Sequence, residues 1–155
     1  MRARSSVFVV IALAFALGAC ATGNMKKMRV MHPPRQNPAE LHIVVFIFKD
    51  LSTGGCLGVV TPSYLPVQKK DTIVFDVVNQ CDANNPNEPN TTVGSFTGDI
   101  PGNKDPFDKS TGSDKKKIEF KVRDNATPDV YKYTVTRGSG TQIQVIVDPE
   151  IDVQR

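Results

Sequence analysis

The chain has 155 residues, 39% of them hydrophobic, which is enough apolar matter for one packed core and no more. Its 19 basic and 16 acidic side chains leave a formal charge of +3. So weak an imbalance excludes a protein built to hold nucleic acid or another polyanion by charge.

The first residues carry the clearest signal. Arg2 and Arg4 precede an apolar run from Val7 to Leu17, which closes in Leu17-Gly18-Ala19-Cys20. A basic start, a short apolar stretch and small residues before a cut site are the parts of a secretory signal. Eleven residues rise only about 16 Å as a helix, against about 30 Å of membrane hydrocarbon, so the run is too short to span. With a cysteine at the cut, the stretch resembles a bacterial lipoprotein signal, Leu17 to Cys20 matching the lipobox. The resemblance implies removal of residues 1–19, acylation of Cys20 (palmitate among the chains) and anchorage in a membrane. Ala21 and Thr22 follow the cysteine, with no Asp second, which in such lipoproteins implies the outer membrane, facing the periplasm. The 136 residues that remain carry a charge of +1.

Residues 20–40 read as a lipidated tether, because Gly23, Asn24, Pro33, Pro34, Asn37 and Pro38 keep a chain extended. Met25, Met28, Met31 and His32 cluster there, and soft thioethers beside an imidazole suit Cu(I). Lys26, Lys27 and Arg29 add positive charge against that reading, and a linker resting on lipid or on the domain is the alternative.

From Leu41 the composition turns to strands. Leu41 to Phe48 is nearly continuous in apolar residues, so a strand covered on both faces is expected. Gly54-Gly55 marks a turn, and Leu57 to Val60 a second strand ended by Pro62. Asp71 to Asn79 and Lys115 to Arg123 alternate, the latter with Ile118, Phe120 and Val122 inward and Lys117, Glu119, Lys121 and Arg123 outward. Val130 to Arg137, the turn at Gly138-Ser139-Gly140 and Gln142 to Val147 predict a hairpin, with Ile151 and Val153 continuing an edge. No amphipathic helix longer than two turns is present. Strands with turns between them predict an all-β, antiparallel Greek-key sandwich over residues 41–155.

Asp82 to Asp114 interrupts the pattern with Asn, Pro, Gly and Asp, and with Val93, Phe96, Ile100 and Phe107 as anchors; a short strand is expected near Thr91 to Thr97. So long a loop points to function, here contact with a protein partner. Its carboxylates, Asp82, Glu88, Asp99, Asp105, Asp108 and Asp114, lack the ladder spacing of a calcium loop and read more simply as turn formers. Cys56 and Cys81 both precede this region. An exported compartment favours their pairing as a disulfide, with two free thiols as the alternative.

The strand order resembles the cupredoxin-like fold. The likeness rests on Thr61 to Phe75, with Lys70 where glycine is commoner, on Asn79, on Tyr131-Lys132-Tyr133-Thr134-Val135, and on Asp148 to Val153 as closing strand. That family holds copper with two imidazoles, a thiolate and a weak axial ligand. Val135 to Val147 contains no Cys, His or Met, and the only histidines are His32 and His42. The resemblance therefore implies the fold without the copper site, and no cofactor. His42 lies mid-strand among apolar neighbours, as a core or edge residue rather than a catalytic one. No nucleophile–base pair, redox Cys pair or phosphate-binding glycine loop stands out. The expectation is a lipid-anchored, non-catalytic binding or structural module, with copper handling through Met25, Met28, Met31 and His32 as the alternative.

Overall fold

In the computed structural model the described residues are 31–81, 87–138, 141–142, 144–145 and 149–154. Residues 1–19, Cys20, Met25, Met28, Asp82 and Asp148 lie outside them. The strands are β1 (Glu40–Lys49), β2 (Cys56–Thr61), β3 (Tyr64–Val67), β4 (Thr72–Asn79), β5 (Thr91–Gly98), β6 (Thr111–Asp114), β7 (Lys117–Lys121), β8 (Asp129–Arg137), β9 (Thr141–Gln142), β10 (Gln144–Val145) and β11 (Glu150–Val153), with no helix among the described residues. They form two sheets, ordered β10-β2-β1-β4-β7 and β3-β11-β8-β5-β6, with β9 beside β8. The chain keeps changing sheet, so its sequence neighbours often face each other across the core. The expected all-β sandwich is what forms. Its sheets are mixed, because β1 runs parallel to β4, β3 to β11 and β2 to β10; each parallel pair is separated in sequence by excursions into the other sheet.

The core lies between the inner faces. Ile43 and Val45 of β1 meet Phe75 and Val77 of β4 in register, Ile47 continues the same buried face, and Phe75 is paired in turn with Ile118 of β7. Val93, Tyr133, Val135 and Ile151 supply the opposite layer. Aromatic edges lock the centre: Phe75 stands T-shaped to Phe120 at 5.6 Å and to Tyr133 at 5.3 Å, while Phe96 lies 4.4 Å from Phe107. Such pairs add about 0.5–1.5 kcal/mol each beyond their buried area. Gly112 of β6 lets the layers close, since a Cβ there would overlap the Ile118 side chain and press Phe120 at 3.1 Å.

The Tyr133 hydroxyl is buried with no hydrogen-bond partner among the described residues, and burial pushes its pKa well up. Tyr133→Phe removes that unpaired group while keeping the ring. It is expected to stabilise the protein by about 1 kcal/mol, read as a higher urea midpoint; a lower midpoint would reveal a partner for the hydroxyl.

Four sequence expectations change. β1 is covered on one face only: Ile43, Val45 and Ile47 are buried, whereas Val44, Phe46 and Phe48 are half-buried on the outer face and His42 is exposed. Asp82 to Asp114 is not one loop. It contains β5, near where a short strand was expected, and also β6, because Val93, Phe96 and Phe107 need the same core as the other strands. The last hairpin divides: β9 stays with β8, but β10 pairs with β2 in the other sheet. Finally, β11 is not an edge. β3 pairs outside it, so Ile151 and Val153 are fully buried.

Candidate functional site

At one end of the sandwich β1, β4 and β8 begin and β3, β5, β7 and β11 finish. Their loops enclose several polar side chains that the core does not require. Asp71 is 1% exposed, Gln68 6% and Gln154 1%. Each of these side chains binds the segment that leads into β1. Gln154 Oε1 accepts the His32 N–H at 2.9 Å, and Gln68 Oε1 accepts the Arg35 N–H at 2.6 Å while its Nε2 donates to the Pro33 carbonyl at 2.9 Å. Asp71 accepts three N–H groups, from Ala39 at 2.8 Å, from Gln68 at 2.7 Å and from the Arg35 guanidinium at 2.7 Å. Buried polar atoms must be paired, so these side chains and the backbone of residues 32–39 satisfy one another. The expected tether is therefore fastened to the sandwich from His32 onward. These residues escaped sequence reading because Gln68, Asp71 and Gln154 look like ordinary solvated loop residues.

The turn before β4 makes the clasp possible. Lys70 has φ +73°, a left-handed backbone that favours glycine, so the lysine is held there in a strained conformation. The turn is held by Lys70 N–H to the Val122 carbonyl at 3.0 Å and by Val122 N–H to the Asp71 carbonyl at 2.9 Å.

Beside the clasp, the 99–107 and 123–128 loops wall a cavity of about 270 Å³. Two buried side chains fix its walls. The Tyr131 hydroxyl lies between them, 3.1 Å from the Thr127 carbonyl and 3.3 Å from that of Lys104. Asp129, 3% exposed, accepts the Ile100 N–H and the Asn103 side-chain amide, both at 2.9 Å. Asp105 lines the cavity. Burial holds its carboxyl above the ordinary range, against the Phe107 N–H and the Arg123 charge, which favour ionisation.

Apart from Asp105, the residues selected from the sequence fall elsewhere. Cys56 and Cys81 form a disulfide, with S–S 1.96 Å and Cα–Cα 5.9 Å, at the far end of β2 and just after β4. Met31 is 55% exposed and His32 is exposed at the start of the clasped segment; Met25 and Met28 lie outside the described residues. Among the described residues no three His, Cys, Asp or Glu side chains are placed to hold a metal ion. The loop carboxylates disperse into backbone caps: Asp105 takes the Phe107 N–H, Asp108 that of Lys121, and Asp114 those of Lys116 and Lys117.

His42 is not a core residue, although buried Val74 pairs with it in register. It sits on the outer face with Nδ1 2.7 Å from Asp76 Oδ2 and Nε2 3.2 Å from Glu40 Oε1. The hydrogen bond to Asp76, helped by both carboxylate charges, raises its pKa above 6.5. The stabilisation is complete below about pH 6.5 and disappears as pH rises through the elevated value, where the folded imidazole loses its proton. An NMR titration should place the His42 midpoint above 6.5 and bring it down in Asp76→Asn; a midpoint unmoved by that change would refute the pairing.

No protein-family model and no curated protein matches the chain.

Proposed function

We propose that this chain is a lipid-anchored, non-catalytic module of cupredoxin-like type without copper, acylated at Cys20 and facing the periplasm from the outer membrane. The observation behind the reading is the clasp. Three buried polar side chains serve to fasten the segment through which any N-terminal anchor would act. With His32 fixed, about a dozen residues separate Cys20 from the sandwich, a reach of at most roughly 40 Å. The clasped end would then lie toward the membrane, and the disulfide end away from it. A protein partner meets the module over the exposed parts of residues 87–114, in keeping with the loop's length and polarity.

Incorporation of a palmitate analogue tests the anchor. The intact gene expressed in a bacterial host should yield a labelled, membrane-bound product, and Cys20→Ser should yield neither. Label retained in Cys20→Ser would sink the assignment. Removing residues 82–114 would not test partner contact, since it would take out β5 and β6. Pull-down with Thr92 and Ser113, whose hydroxyls lie 3.0 Å apart on the exposed face, both changed to Lys is the suitable probe; an unchanged partner set would count against that face.

Copper handling is the second reading, favoured by the exposure of Met31 and His32 just ahead of the clasp. Cu(I) titration of the chain and of a variant with Met25, Met28 and Met31 changed to Ser decides it. Equal uptake by the two removes it.

A further inference from the structure

The cavity between the 99–107 and 123–128 loops presents cations and neutral donors around one opening. Lys104 and Arg123 line it with Asn103, Asn125 and Thr127. Among the described residues the Arg123 guanidinium reaches only the Asp105 carbonyl, at 3.4 Å, and neither Arg123 nor Lys104 stands within ion-pair distance of a carboxylate. The walls are set in advance, because Tyr131 beneath them, 0% exposed, bonds both loops and Asp129, 3% exposed, bonds the 99–107 loop twice. A cavity of this size is below the range of ordinary small-molecule sites. It suits a compact group carrying several acceptor oxygens, the chemistry for which a guanidinium is the best single partner.

We infer that this cavity is a binding site for one phosphate-type oxyanion, held by Arg123 and Lys104 with Asn125 and Thr127 as neutral donors. Asp105 is the opposing group. Its carboxylate repels an anion when ionised, so it sets the strength of the site rather than its presence. Asp108 and Asp124 lie nearby in sequence, but Asp108 is engaged with the Lys121 N–H and Asp124 faces Lys70 at 3.8 Å. The site adjoins the clasp: Ala39 bonds Asp71, Asp71 bonds Val122, and Arg123 follows. A phospholipid headgroup and a free phosphate offer the same oxygens. The lipid source rests on the anchored reading proposed above; the oxyanion site does not.

The test uses the full chain with Cys20→Ser, so that an acyl chain cannot dominate binding. In one arm, inorganic phosphate is added at constant ionic strength while the Arg123 Nε–H and Asn125 amide resonances are followed. In the other, the protein is sedimented with phosphatidylglycerol vesicles and with phosphatidylcholine vesicles. Saturable shifts are expected, weakened about tenfold in Arg123→Gln and several-fold in Lys104→Gln. Asp105→Asn should bind several-fold more tightly, a change of direction that misfolding does not produce. Phosphatidylglycerol binding that Arg123→Gln abolishes and free phosphate displaces assigns the site to a headgroup. Phosphate shifts without vesicle binding assign it to a soluble ligand. Absence of saturable shifts, or phosphate shifts equal in the parent and Arg123→Gln proteins, overturns the site; vesicle binding equal in the two removes the headgroup as its ligand. Failure of the anchored reading shows independently, as absence of acyl label at Cys20.

Discussion

Asp71→Ala should lower stability by about 2–4 kcal/mol and release residues 32–39 from the sandwich. The loss does not come chiefly from the ion pair. Arg35 is 35% exposed at its side chain, and a pair open to water to that degree is worth about 0–1 kcal/mol. It comes from the Ala39 and Gln68 N–H groups, which have Asp71 as their acceptor. Stranding a buried donor costs about 1–3 kcal/mol. Arg35→Ala is therefore the informative comparison, with an expected loss below about 1 kcal/mol. Urea unfolding measures both, and limited trypsin digestion after Arg35 reports release of the segment, fast in Asp71→Ala and slow in the parent. Equal destabilisation by the two substitutions would show that the clasp is an ion pair and not a backbone clamp.

Replacing Cys56 and Cys81 together by Ala should cost about 3.5 kcal/mol, the chain-entropy value for a closed loop of their 25-residue separation. The bridge has a particular place in the sheet. Cys56 begins β2 and Cys81 follows β4, so the cystine joins the two neighbours of β1 at one end, where Gln80 N–H also bonds the Ile47 carbonyl at 2.7 Å. It also closes off the chain that leads into β5. Arg137 Nη1 stands 3.1 Å from Cys56 Sγ, bringing β8 of the opposite sheet to the same point. The double variant should lose stability without loss of strand content, as a lowered urea midpoint with an unchanged far-UV spectrum. A loss below about 1 kcal/mol would mean that the two strand ends are already held together in the unfolded chain.

These two predictions draw on different kinds of knowledge. The cystine was visible as a pair of residues in a chain whose first residues resemble an export signal. The clasp was not visible, because Gln68, Asp71 and Gln154 carry no pattern that separates them from solvated loop residues. The same contrast runs through the strands. Alternation in Lys117 to Lys121 and in Val130 to Arg137 matches the observed burial residue by residue. Of the four expected anchors, Val93 and Phe107 are buried and Phe96 packs partly buried against the core, but Ile100 is 51% exposed. By contrast, β3 and β6 are four residues each and hold little periodicity, and the apolar run of β1 masked a half-open outer face.

The sequence alone determined the all-β class, the main inward-facing side chains and the bond between Cys56 and Cys81. Those follow from local rules: period-two alternation, turn chemistry and the cysteine pairing expected of a chain with an export-like start. Only the tertiary structure decided that β1 lies parallel to β4, that β11 is interior, that β9 and β10 part company, and that residues 32–39 are clasped beside a cation-lined cavity. Each of these depends on which distant segment arrives alongside, and that is settled by competition for one shared core and by the need to pair every buried polar atom, neither of which has a local signature.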